Sequence, residues 1–280
     1  MKNLTKLLIL FSTGLSLAAC QTGGSSGALK TQGYTSTVLT NTKIAVGSSK
    51  VDVKRIAKNT VDVTIDGKVY KFTKDDLRED GREDRFKEKE FEDVAGIKKI
   101  RVTKTSSDLK RVEMWKVGIN RPKDGTYETG YLINGEKPAK LPTAGTAKYT
   151  GGFGWGSMYS KTKPGDGRKG FWGNLELNVD FDKSAIDGKL YKIKTRDNSD
   201  KEIGLEGEVK ITGGKITGSD FTAKVATNSV LTTNLGLNES ATGTMDGGFY
   251  GHYGSEAVGT ISLENKDYKG SFAFDATVEN

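Results

Sequence analysis

The stretch "FWGNLELNVDFD", residues 171 to 182, limits this chain more than any other. Phe171, Leu175, Leu177, Val179 and Phe181 fall on one side of a two-residue period, and Trp172, Asn174, Glu176, Asn178, Asp180 and Asp182 on the other. A period of two is the repeat of an extended strand whose faces meet different surroundings. It returns in "YKGSFAFDATV", where Tyr268, Phe272, Phe274, Ala276 and Val278 oppose Lys269, Ser271, Asp275 and Thr277. Ile203, Leu205, Val209 and Ile211 repeat it, as do Ala241, Met245 and Phe249, then Ala257, Ile261 and Leu263. From Thr146 onward roughly eight such segments fill about the last 135 residues, enough to close an antiparallel barrel. A barrel in lipid turns its apolar side outward. Here the polar side carries Lys, Asp, Glu and Asn on nearly every strand, so it belongs in water and the aromatic and branched side is the interior. The expected fold class is therefore mainly β, with a C-terminal eight-stranded antiparallel soluble β-barrel and a filled core.

The first half is also β-rich. "VDVTIDGKVYKF", Val61 to Phe72, sets Val61, Val63 and Ile65 on one face, turns at Asp66-Gly67 and resumes with Val69 and Tyr70, a hairpin signature. One segment competes: Lys74 to Phe91 suits a short charged helix with Leu77 as its early apolar anchor. The four prolines, Pro122, Pro138, Pro142 and Pro164, all sit in segments that read as connections.

Cys20 is the only cysteine. Before it lie Lys2 and Lys6, an apolar run from Leu7 to Leu17, and the small residues Ala18 and Ala19, the pattern of a secretory signal too short to remain as a membrane helix. Leu17-Ala18-Ala19-Cys20 resembles the bacterial lipobox, in which the thiol is acylated and becomes the new N-terminus. The expected boundaries are a signal peptide at 1–19, a lipidated Cys20 with a flexible tether over 20–30, a β-rich domain over 31–140 and the barrel over 141–280. Acyl chains anchor a protein stably to a membrane, and Gln21, where an Asp would resemble inner-membrane retention, places the anchor in an outer membrane. The tether "QTGGSSG" spans about 15 Å as a coil.

The formal charge is +7, and loss of Lys2 and Lys6 with the signal leaves +5. Both signs alternate in "KFTKDDLREDGREDRFKEKEFED", Lys71 to Asp93, as on a solvated face. No nucleic-acid-binding motif accompanies the basic excess, so no nucleic-acid partner is expected. Enzymatic chemistry finds no support either. A Ser-His-Asp set has only His252 to draw on, no Gly-x-Ser-x-Gly elbow occurs, and Gly214-Lys215 leads to Ile216 rather than to a P-loop hydroxyl. "DLREDG", Asp76 to Gly81, fails as a calcium loop because Arg78 occupies a position that needs an oxygen. With no free thiols and one imidazole, neither a metal nor a cofactor is expected.

"LPTAGTAKYTGGFGWG", Leu141 to Gly156, "NVDF", Asn178 to Phe181, and "GGFYGHYGSEAVGTI", Gly247 to Ile261, occur in an order and spacing that resemble the barrel of the transferrin-binding protein B family. The resemblance covers about the last 140 residues. It implies an N-terminal β-rich "handle" domain, and the chain has room for one handle-plus-barrel lobe. It therefore resembles the small single-lobe members, which include haem-scavenging hemophilins and the nematode intestinal-localisation lipoprotein of symbiotic bacteria. It further implies delivery to the cell surface by an outer-membrane translocon, display as a monomer, and binding of a host-derived protein or glycan in colonisation. Capture of haem or of a host iron protein is the alternative, and small-ligand carriage inside the barrel a third that the bulky interior face disfavours.

Several residues are candidates for contact. Trp172 reads as outward-facing and borders the basic loop "KTKPGDGRKG", Lys161 to Gly170, with Lys161, Lys163, Arg168 and Lys169. A tryptophan beside an adaptable loop suits an interface anchor. Trp115 in "RVEMWKVGI" is weighed in the same way, against packing. Tyr149, Phe153, Trp155 and Tyr159 share an odd register and suit the barrel core. His252 could ligate haem iron, but "YGHYG" reads as a turn.

Overall fold

The computed structural model describes residues 35–43, 51–57, 60–65, 67–76, 89–91, 99–104, 109–121, 126–162 and 168–279. The expected signal segment, Cys20, the tether and Lys163 lie outside the described residues, as does the Trp155 side chain.

Eight strands precede the barrel: β1 (Thr35–Lys43), β2 (Val51–Ala57), β3 (Thr60–Ile65), β4 (Lys68–Phe72), β5 (Lys89–Glu90), β6 (Lys99–Lys104), β7 (Val112–Arg121) and β8 (Thr126–Gly135). They form a five-stranded sheet in the order β1-β8-β7-β6-β5 and a three-stranded meander, β2-β3-β4. The expected hairpin is present, Val63 pairing with Tyr70 and Gly67 taking a φ of 86° that favours glycine. Val61, Val63, Tyr70 and Phe72 from the meander pack against Ile100, Val102, Trp115, Val117 and Ile119 from the larger sheet. A charged helix over Lys74 to Phe91 is not what the described ends show. The segment opens with a 3-10 turn, Lys74–Asp76, and closes in β5, whose Lys89 reaches back to Asp76 at 2.8 Å.

The second half contains β9 (Thr146–Ser160), β10 (Trp172–Asp180), β11 (Ala185–Arg196), β12 (Glu202–Leu205), β13 (Val209–Thr217), β14 (Asp220–Thr227), the helix α1 (Ser229–Asn234), β15 (Thr242–Tyr250), β16 (Glu256–Glu264) and β17 (Tyr268–Val278). Each strand pairs antiparallel with its neighbour along the chain, β12 set aside, and β17 pairs back onto β9, so eight strands close an up-and-down barrel. Full closure satisfies every strand edge. β12 adds a short ninth strand beside β11.

The interior is filled as the alternation predicts. Phe171, Leu175, Leu177, Val179 and Phe181 meet Phe272, Phe274 and Ala276 in one core, with Phe171 and Phe272 ring centroids 4.5 Å apart. At one end α1 closes the barrel: the Asn228 side chain accepts from the Leu231 amide at 2.9 Å, starting the helix, and Leu231, Leu235 and Leu237 dip into the core. At the other end the Tyr149 hydroxyl donates to the Gly254 carbonyl at 2.6 Å, and its burial pushes its pKa up to about 12.

Two details depart from the alternation. Between Gly154 and Ser157, β9 carries one residue more than the facing stretch of β17, Ala273 to Ser271. A bulge of one residue reverses the facing of all that follows. Tyr149 and Phe153 are therefore interior, but past the bulge Met158 takes the core position and Tyr159 does not share it. Ile203 to Ile211 is likewise two strands rather than one. Gly207, with φ of 103°, breaks it, leaving Ile203 exposed on β12 while Val209 and Ile211 enter the core.

The barrel's outer face is not all in water. Across β15, β16 and β17 it is covered by the five-stranded sheet: Val112, Met114, Tyr131 and Ile133 pack on Tyr250, Val258 and Ala273, and Thr260 and Ser271 are buried with them. β7 is consequently buried on both faces. Glu256, only 5% exposed, fastens the same seam, its carboxylate accepting from the backbone amides of Lys110 at 2.8 Å and Arg111 at 2.9 Å.

Candidate functional site

Four connections gather at the α1 end of the barrel. Lys161 opens the first, the β9–β10 loop, and its ammonium donates to Glu264 Oε1 at 2.6 Å and to the Asn265 carbonyl at 2.5 Å, tying the loop to the β16–β17 turn. This hydrogen bond holds the Glu264 carboxyl below the usual carboxylate range. The loop closes where Lys169 and Met158 exchange backbone hydrogen bonds at 2.8 and 2.9 Å, and the Gly170 carbonyl accepts from Thr195 Oγ1 at 2.5 Å. The β16–β17 turn in turn meets the segment after α1, through Asn238 to Asp267 at 2.9 Å and Asn265 to the Glu239 carbonyl at 3.0 Å. The loop ends are thus fixed to a firm rim.

Trp172 begins β10 on the outer side of this rim and is half-buried. Room for its indole comes from Gly154, where a Cβ would sit 3.0 Å from the Trp172 Cβ. The Arg196 guanidinium lies 6.0 Å from the indole centroid and is itself held by Asp200 at 2.8 Å. A cation over an indole face is attracted by the ring quadrupole. Arg168 is exposed, its Nε donating to Ser157 Oγ at 2.9 Å, and the Lys169 ammonium rests over the Tyr268 ring at 5.9 Å.

The remaining candidates are placed elsewhere. Trp115 is 3% exposed, its indole inside the first-half core, so it supports that domain rather than meeting a partner. His252 lies exposed in a 3-10 turn, its ring 4.1 Å from that of Tyr253. Of the charged segment Lys74 to Asp93, the described parts are the turn and β5.

The residue that sequence reasoning passed over is Lys116, next to Trp115. It shares a face of β7 with Val112 and Met114, which pack on the barrel. Burial, then Arg168 and Arg101, press its pKa down to about 8. A lysine between apolar residues on a strand apolar on both sides was the available signal. Away from the α1 end, a groove of about 310 Å³ opens between β8 and the barrel, floored by Gly247, Phe221 and Tyr250 and rimmed by Asp220, Asp246 and Lys215. Lys137 covers it in part, its ammonium 4.2 Å from the Tyr250 centroid and paired with Asp220. Burial and the Asp220 carboxylate raise the Tyr250 pKa.

The barrel is closed and filled, carries a β-rich domain on one face and has a fixed rim at its α1 end. Residues 141–277 match the family described as the C-lobe and N-lobe β-barrels of transferrin-binding protein B, so the barrel half of the chain is similar to a single lobe barrel of that family. The match is to binding proteins, not to enzymes. Transferrin-binding protein B of Moraxella catarrhalis is 29% identical over 151 residues, which is 51% of this chain and 20% of that protein. A crystal structure of transferrin-binding protein B from Haemophilus parasuis is similar with a TM-score of 0.51 at 20% identity, covering 91% of this chain and 47% of the other. That of Neisseria meningitidis gives 0.51 at 19%, covering 87% and 43%. The chain therefore spans about a fifth of its curated relative and less than half of these structures, which share its fold.

Proposed function

We propose that the protein is a lipid-anchored lipoprotein of the outer membrane, exported to the cell surface by a translocon, that binds a host-derived protein or glycan through the α1-end rim. The observation that carries this reading is the placement of Trp172. It stands outside a barrel whose interior is full, beside a basic loop whose two ends are pinned and under a guanidinium that presents a flat cationic face. Large aromatic side chains and arginine dominate the energetics of interfaces because they bury much area with little entropy cost. The filled core supports surface binding over carriage of a small ligand.

The test is capture of partners from host extract by soluble protein starting at Gln21. Trp172→Ala, or replacement of residues 161–169 by a Gly/Ser linker, is expected to lose capture while the melting temperature moves little. Capture at wild-type level by both variants would move the site off this rim. A second reading, capture of a host iron protein, is favoured by the likeness to a protein named for binding transferrin. Retention of the chain on immobilised transferrin, against albumin as control, distinguishes it.

A further inference from the structure

Lys116 and Arg168 reach the seam between the five-stranded sheet and the barrel from opposite sides, and the residues joining them are polar. Arg168 Nε donates to Ser157 Oγ at 2.9 Å. Ser157 is the register partner of Ser271, and both are buried. The Tyr131 hydroxyl donates to the Ser271 carbonyl at 3.4 Å, and Tyr131 is the register partner of Lys116. Arg101, whose register partner is Gly118 on β7, adds a third cation on the same side of the sheet. The seam is apolar at its other end, where Val112 and Met114 pack on Tyr250 and Val258.

What sets this cluster apart is its charge. Several other lysines are paired with carboxylates, Lys161 with Glu264, Lys194 with Glu202 and Lys137 with Asp220, and among the described residues those without a partner, such as Lys210 and Lys224, are exposed, whereas Lys116 is part-buried. Among the described residues no carboxylate lies within ion-pair distance of Lys116 or Arg168, and Glu256, on the same seam, is occupied by the Lys110 and Arg111 amides. Cations brought together in a partly desolvated place repel one another. Met114, one step along the same face, shows that an apolar side chain fits the strand, so the charge at 116 is costly to the free protein.

We infer that this end of the seam is an oxyanion site, in which the Lys116 ammonium and the Arg168 guanidinium together hold one sulfate, phosphate or carboxylate group, while Ser157, whose hydroxyl donates to the Gly156 carbonyl at 2.7 Å and accepts from Arg168 Nε, positions the guanidinium. Among the described residues Arg168 donates to the protein through Nε alone, which leaves the outer edge of the fork for a bidentate contact. An ammonium brings three donors. The bound group neutralises the repulsion, so occupancy stabilises the fold. Whether the group arrives free or on a larger partner, the chemistry is the same.

Thermal unfolding of the soluble protein at pH 7 tests this, in sulfate, phosphate or acetate against chloride at matched ionic strength. At least one oxyanion is expected to raise the midpoint saturably by several degrees, and the responding arm identifies the tetrahedral or planar group. Lys116→Met and Arg168→Gln should each weaken the apparent affinity at least about tenfold. Lys116→Met should also melt above the wild type in chloride, which loss of a purely structural lysine would not produce. Arg168 is exposed, so its variant reports on the site even where Lys116→Met folds poorly. Midpoints that follow chloride in all three salts, or a wild-type response in both variants, overturn the inference.

Discussion

Replacing Glu256 by alanine removes a buried carboxylate that grips both domains of the fold. Its carboxylate accepts from two backbone amides, Lys110 at 2.8 Å and Arg111 at 2.9 Å, with a further 3.2 Å contact to Arg111. Hydrogen bonds to a charged acceptor contribute about 1.5–3 kcal/mol each, and a buried amide left without a partner costs about 1–3 kcal/mol. Lys110 and Arg111 are exposed residues, so water can approach the vacated amides and the lower half of that range applies. The expected loss is about 2–4 kcal/mol for Glu256→Ala. Glu256→Gln, which keeps one acceptor oxygen, should lose about 1–2 kcal/mol. Urea unfolding of the soluble protein reads the size of the change. Hydrogen exchange locates it, because undocking of the sheet should deprotect residues 109–121 before the barrel strands. An alanine variant within about 0.5 kcal/mol of wild type, with an unchanged urea slope, would refute the view that this carboxylate holds the seam.

Three further outcomes follow from separate features. Lys116 titrates near 8 in the fold against 10.5 when unperturbed, so between those values the unfolded chain holds the proton that the fold has lost; stability should rise with pH across that window by about 1–3 kcal/mol relative to Lys116→Met. Urea midpoints of the two proteins at pH 7 and pH 10 check the difference, and parallel curves would count against it. Gly156→Ala should cost more than about 3 kcal/mol or prevent folding, because a Cβ there collides with the Ser271 carbonyl oxygen in the bulge, whereas Gly204→Ala, with open space around it, should be silent in the same melt. Cys20→Ser should release the chain from the membrane fraction and abolish palmitate labelling; retention of either would show that the anchor lies elsewhere.

The barrel was legible because each strand separates a dry side from a wet one, and "FWGNLELNVDFD" keeps that contrast along its length. The period fails where geometry, not polarity, intervenes. In "GGFGWGSMYS" the extra residue of the bulge costs nothing in composition, so the sequence continues to look regular while Met158 replaces Tyr159 inside. β7 fails for the opposite reason. In "VEMWKVGI" both faces are covered, one by the three-stranded meander and one by the barrel, so Trp115 carries no mark that separates a core indole from an exposed anchor. Lys116 was hidden likewise, since a lone lysine reads as solvated unless the covering layer is known. Trp172 was read as outward from the register of β10 alone, and its neighbours agree, but the Arg196 that faces it comes from a strand whose pairing no local pattern encodes.

β1 begins at Thr35 opposite Gly135, and a Cβ on Gly135 would press on the Tyr250 ring. Tyr250 ends a strand that starts beside α1, so the chain enters this fold at the end of the barrel away from the helix. The molecule consequently has a direction. Any hold on the chain upstream of Thr35 acts at the base of the lobe, and β9, at 15 residues, sets roughly 45–50 Å of rigid strand between that base and the rim. Were the α1-end rim to hold a partner, reach and binding strength would be separate properties, the first set by the length of the strands and the second by the loops they carry.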